Sequence, residues 1–280
     1  MGRFSQIIIN PPIAINKIEK PSNQGKSKKI ECPIYNSNNQ TAIDIIEYLQ
    51  TNNHMAIEKA IVVGSIADNS ATNYSDFDGI LIIDKNKCVS SKEVKKLRNI
   101  IKESNTMMKK QDRLQHHGWM ILWKHELNNY NENYLPSSIF NDAKTLFTLS
   151  TNIIELQINN SIFDDINLQN ICKSILKKIN NKKQLKKIYF FKNLISEILL
   201  TPALFLQSKK NINCSKKESF TLIKNHISLE NIDVLKTIEL FRNNWNQNTN
   251  NKKNATPITY INWFALNKEN ILNYLKEINR

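Results

Sequence analysis

The sequence predicts an α+β fold in two parts: a head in which helices and strands alternate, followed by a mostly helical half. Three observations carry this expectation. Two short, β-branched apolar runs, Ala60–Val63 and Ile80–Ile83, are each bounded by turn residues, as buried strands are. Amphipathic stretches at helical spacing flank them. From Leu135 onward the apolar periodicity is helical almost throughout. With 40% of its 280 residues hydrophobic and 23% charged, the chain can bury a core.

Residues 1–40 contain Pro, Lys and Asn without lasting periodicity and read as an extended basic arm. Thr41-Ala42-Ile43-Asp44 reads as a helix start, a hydroxyl cap with a carboxylate three residues on, followed by Ile45, Ile46, Tyr48 and Leu49 at helical spacing. Ala60–Val63 then reads as a buried strand stopped by Gly64-Ser65. A polar stretch from Ala67 to Ser75 leads into Asp76-Phe77-Asp78-Gly79 and the second strand, Ile80–Ile83. Asp84 ends that strand as a turn residue. Ser90–Ser104 is expected to be a helix, Thr106–Gln111 a short strand, and Gly118–Trp123 a stronger one, with Trp119 and Trp123 packing. The head is thus expected over 41–134 and the helical domain over 135–280. In the latter, helices are expected over Ser137–Ser150, Asn167–Ile179, Gln184–Leu200, Ser215–Ile227, Asn231–Trp245 and Ile258–Ile278. Pro202 should break or kink the third. Asn246–Asn254 reads as a solvated linker.

Charge narrows the function classes. Lys and Arg number 39 against 25 Asp and Glu, a net +14, and only five of the cations are Arg. This excludes an acidic solvating chain and favours anionic partners. Much of the excess is local: residues 165–225 hold 13 Lys against three carboxylates. That segment reads either as a solvated lysine face or as a surface for a polyanion. Four scattered cysteines with no C-x-x-C pair argue against a disulfide framework or zinc knuckle. No run of about 18 apolar residues suggests a membrane span, and the first residues lack a secretory pattern. A soluble, cytoplasmic protein is expected.

The segment that carries chemistry is Gly64-Ser65 followed, after a compact polar spacer, by Ser75-Asp76-Phe77-Asp78. Carboxylates at i and i+2 on a strand point to one face. Held side by side they repel unless a cation lies between them. A hard divalent ion such as Mg²⁺ takes such oxygens, usually together with substrate phosphates. A Gly-Ser turn lets backbone N–H groups approach a phosphate, and the Ser65 hydroxyl can donate to one. Either element alone is commonplace. Their closure of two consecutive strand runs points to a site that grips a nucleoside triphosphate.

Gly64-Ser65 with Ser75-Asp76-Phe77-Asp78-Gly79 resembles the signature of the DNA polymerase β-like nucleotidyltransferase superfamily. The resemblance implies a head with a mixed sheet, and transfer of a nucleoside monophosphate from an NTP such as ATP to a hydroxyl acceptor, releasing pyrophosphate. It implies that Asp76 and Asp78 bind two Mg²⁺ ions (Mn²⁺ as a substitute), and that Gly64, Ser65 and Ser75 bind the nucleotide. It also implies a third metal-binding, catalytic carboxylate, for which Asp112 is the candidate; His116 or His117 is the replacement if acceptor activation needs another group. Adjacent strand residues face opposite sides, so at most one of the two histidines can reach the site. Gln115 could read a base or sugar. The acceptor stays open between a small hydroxylated molecule and an RNA end such as tRNA. A cationic aminoglycoside would prefer an acidic pocket, which this chain does not advertise. The alternative is a degenerate head that binds nucleotide or RNA without catalysis.

Overall fold

The computed structural model describes residues 26–115, 117–159, 164–245 and 256–280. The first 25 residues of the expected arm, His116 and the expected linker Asn246–Asn254 lie outside them. In chain order the elements are β1 (Lys26–Glu31), α1 (Gln40–Thr51), β2 (Ile57–Val63), a single turn α2 (Gly64–Ala67), β3 (Asp78–Ile83), α3 (Ser91–Gln111), β4 (Met120–Trp123), β5 (Lys144–Thr148) and β6 (Ile153–Ile158). Helices follow: α4 (Ile166–Ile179), a short α5 (Lys182–Leu185), α6 (Ile188–Lys210), α7 (Lys216–Leu222), α8 (Leu229–Asn243) and α9 (Ile258–Ile278).

The head is built on a four-stranded mixed sheet of order β4-β3-β2-β5, with β3 and β4 parallel and the other pairs antiparallel. Both faces are covered, which explains the continuous apolar runs. Ala60, Val62, Leu81 and Ile83 face α1 and α3, where Ile45, Leu49, Leu97, Ile100 and Met108 meet them. Ile61, Val63, Ile80 and Ile82 face Tyr130, Phe140, Ile154 and Leu156 on the other side. There β1 and β6 form an antiparallel ribbon. The helical half packs around its own core, in which α6 is central.

Four expectations are corrected. Asn39, not Thr41, caps α1: its side chain accepts from Ala42 N–H at 3.0 Å, while Thr41 is buried. Thr106–Gln111 is the last part of α3 rather than a strand. The inward stripe Leu97, Ile100, Ser104, Met108 continues through it. Ser104 interrupts the apolar pattern because its hydroxyl bonds Ile100 C=O at 2.7 Å and accepts from the Trp119 indole at 2.8 Å. Ser137–Ser150 is not a helix: a 3₁₀ turn at Ser137–Phe140 precedes β5, which pairs with β2. Strands therefore continue beyond residue 134, and β1 lies before residue 41. Finally, of the break or kink expected at Pro202 the break is overturned, since α6 runs through it. The proline removes a donor to Ile198 C=O, and the Thr201 hydroxyl takes that carbonyl at 2.7 Å. By length and composition α6 could cross a membrane, but most of it is buried in the helical core.

Gly79 follows Asp78 on β3 and is required by close approach. A Cβ there would lie 2.5 Å from the Trp119 ring and 2.8 Å from the Met108 methyl. Trp119 also meets Phe77 edge-on at 6.3 Å. Gly79→Ala is therefore expected to destabilise the head by about 1–3 kcal/mol through overpacking. The measurement is the urea midpoint at unchanged slope.

Candidate active site

The sheet register builds the site. Val63, the last residue of β2, pairs with Asp78, the first of β3. This sets the turn at Gly64 beside the acidic segment. Gly64 has φ +66°, and a Cβ on it would lie 3.1 Å from Asp78 Oδ2. Gly64 is exposed and Ser65 half-buried, so both stay open to a ligand. Ser75 is buried, and its hydroxyl accepts from Thr72 N–H at 2.9 Å while Ser75 N–H donates to Thr72 C=O. It shapes the loop that enters the acidic segment.

Only Asp78 lies on β3, as its first residue; Asp76 stands on the loop just before it, not on a strand as expected, yet both carboxylates approach the same imidazole. His117 Nε2 lies 3.2 Å from Asp78 Oδ1 and 3.9 Å from Asp76 Oδ2. Burial alone would lower the imidazole pKa, but the hydrogen bond to Asp78 and the charges of Asp78 and Asp76 outweigh it and raise the value. Asp112 caps the C-terminus of α3, accepts from Leu114 N–H at 3.0 Å, and is buried. Burial holds its carboxyl above the ordinary range, against the opposing charge of Lys192.

The residue that sequence reasoning missed is Lys192, on α6. It is 2% exposed, and its ammonium lies 2.5 Å from both Asp76 Oδ1 and Asp112 Oδ2. It also sits 4.9 Å above the Tyr74 ring. Tyr74 leaves the head loop to enter the helical core, where its hydroxyl donates to Lys192 C=O and meets Ser196 Oγ, each at 2.8 Å. Arg242 of α8 lies over the same ring at 5.9 Å. Lys216, at the start of α7, is exposed, with protein crowded about its ammonium. Burial and then Arg242 pull its pKa down to about 8, against the attraction of Asp78 and Asp76. Lys192 contacts Asp76 and Lys216 feels the charge of both aspartates, so cations from two helices adjoin the acidic pair, with Arg242 set against Tyr74 and near Lys216. A signal for Lys192 was present: it falls on the inward stripe of α6 with Ile188, Phe191, Ile195 and Leu199.

Asp76 Oδ2 and Asp78 Oδ1 converge on one point, now held by an imidazole nitrogen. Two carboxylates that already gather positive charge fit one hard cation that completes its shell with phosphate and water. Among the described residues no group of three His, Cys, Asp or Glu forms a ready-made cage. Asp112 does lie beside Asp76, and the Lys192 ammonium contacts both carboxylates.

No protein-family model matches the chain, and no curated protein is similar to it by sequence. Among solved structures it is similar to the spectinomycin adenyltransferase from Enterococcus faecialis, determined with ATP and spectinomycin. The identity is 12%, the TM-score is 0.49, and the match covers 87% of this chain and 100% of that one. The functional reading rests on the site's own residues.

Proposed function

We propose that this chain is a metal-dependent nucleotidyltransferase that moves a nucleoside monophosphate from an NTP to a hydroxyl acceptor. One observation carries the reading: Asp76 and Asp78 lie together beside the Gly64 turn, with the Lys192 ammonium on Asp76 and Lys216 within electrostatic reach of both. That is a paired anionic and cationic lining suited to a polyphosphate with its counter-ion. On this reading Asp76 and Asp78 hold Mg²⁺ or Mn²⁺, which when bound neutralises the triphosphate and polarises the α-phosphoryl group. Gly64 and Ser65 offer backbone N–H groups and a hydroxyl to phosphate oxygens, and Ser75 keeps the loop in shape for them. Lys216 and Arg242 balance the charge of the leaving pyrophosphate. Asp112, with Lys192 beside it, takes the acceptor proton. The new acceptor O–P bond forms as the bond between α-phosphorus and bridging oxygen breaks.

The cationic wall favours a neutral or anionic acceptor over a polycation, since like charges in a cleft repel. A small hydroxylated molecule and an RNA end both satisfy that condition. The position of Lys192 also supports a second reading, nucleotide or RNA binding without catalysis, because its ammonium occupies the place of a cation between Asp76 and Asp112.

Incubation with each α-labelled NTP, Mg²⁺ or Mn²⁺, and a metabolite pool or total RNA separates these readings. The enzyme reading expects label transfer that chelation abolishes. Nucleotide binding with no transfer to either pool establishes the binding reading, and retention of RNA that falls steeply with salt marks phosphate contacts. Gly64→Ala tests the turn: a left-handed residue with a Cβ costs about 1–2 kcal/mol, and displacing the phosphate by an ångström costs up to roughly 10²-fold in rate. The expected result is transfer lowered far more than thermal stability.

A further inference from the structure

Gln115 lies on the segment between α3 and β4, is buried, and has its amide committed to backbone. Its Oε1 accepts from Phe77 N–H at 2.8 Å, and its Nε2 donates to Phe77 C=O at 2.9 Å. Phe77 is the residue between the two aspartates, just before β3 begins. There the acidic segment has no strand partner, and a side-chain amide that offers one acceptor and one donor to a single residue replaces the missing strand. The second Nε2 hydrogen reaches His117 C=O at 3.1 Å. His117 in turn places its imidazole on Asp78. With these contacts made, Gln115 is occupied and does not present its amide to a base or sugar.

We propose that Gln115 is a positioning residue that sets the spacing of Asp76 and Asp78 through the Phe77 peptide and keeps the His117 segment in register with them. The proposal rests on the reading of Asp76 and Asp78 as the pair that holds metal. Groups that orient metal ligands typically carry about 10–100-fold in metal affinity. Here the route is the backbone between the two ligands rather than a bond to either carboxylate. The Phe77 ring, fully buried against the sheet core, fixes the other side of the same peptide.

The test compares the full chain with Gln115→Ala and with Gln115→Met, which keeps the volume and removes both hydrogen-bonding functions. Two readouts are taken: affinity for Mn²⁺ alone by titration calorimetry, and hydrogen exchange of the Phe77 amide. Both variants are expected to lose about 10–100-fold in Mn²⁺ affinity and to exchange the Phe77 amide faster. Ile198→Val, in the distant helical core, is expected to keep wild-type affinity even where it melts earlier. Wild-type affinity and unchanged Phe77 exchange in Gln115→Met would overturn the proposal. Lost affinity without faster Phe77 exchange would overturn it too, because the effect would not travel through that peptide. A wild-type chain that binds no Mn²⁺ overturns the metal reading instead, and the tie to Phe77 then stands or falls on the exchange rates alone.

Discussion

Asp78→Asn is expected to abolish label transfer to within about 10⁻³ of wild type, since a bound metal supplies several kcal/mol of charge stabilisation. The same substitution is expected to leave the fold nearly untouched. Asp78 is 39% exposed on its side chain, its ionic partner His117 is 31% exposed, and such partly solvated pairs contribute about 0–1 kcal/mol. Removing one of two adjacent carboxylates also relieves their mutual repulsion. Asp76→Asn should be equally inactive but less stable, because Asp76 Oδ1 faces the buried Lys192 ammonium. The contrast is the informative part. Loss of transfer in both variants, with a melting temperature lowered only in Asp76→Asn, separates a ligand role from a packing role. Transfer that survives in Asp78→Asn would remove this residue from the metal and with it the proposed mechanism.

What the sequence made legible follows from how local the determining forces are. Gly64 and Asp78 are legible because strand ends and turn chemistry act over a few residues, whereas Asp76 reaches the same imidazole from the loop just before β3. Leu146 and Phe147 were misread as helical because Ile139, Phe140 and Ala143 precede them at helical spacing. Only pairing with β2, more than eighty residues earlier, makes that segment a strand, and short apolar runs do not reveal such pairing. Ser104 hid the end of α3 in a similar way, since its polar side chain is satisfied by Trp119, which lies beyond the helix. Lys192 was the costliest omission. Its position on an apolar stripe is visible in the sequence, but the two carboxylates that make it tolerable there come from the head.

Lys192→Met is expected to cost about 3–5 kcal/mol of stability near neutral pH, the penalty for leaving buried charge uncompensated. The methionine fills the space of the alkyl chain, so little of that loss is cavity. It arises because Asp112, 3% exposed, must either hold a charge with no cation beside it or take up a proton, while Asp76 at 11% is only partly hydrated. The pH dependence identifies which carboxylate matters. Burial already raises the folded-state pKa of Asp112 above its unfolded value, and Lys192 opposes that rise. Stabilisation from a raised pKa is complete below the unfolded value and is lost as pH rises through the folded one. Without Lys192 the folded value climbs further, so the variant should approach wild-type stability on acidification and fall away from it as pH increases. Urea unfolding at about pH 5 and about pH 8 reads this directly. Lys192→Met combined with Asp112→Asn should regain much of the loss, as contacting residues in a mutant cycle do. A deficit equal at both pH values, or a double variant no better than the single one, would mean that Lys192 serves Asp76 alone. Asp112 would then be free to meet an acceptor without the lysine's charge, and the cation between the two carboxylates would be the metal's competitor rather than the base's partner.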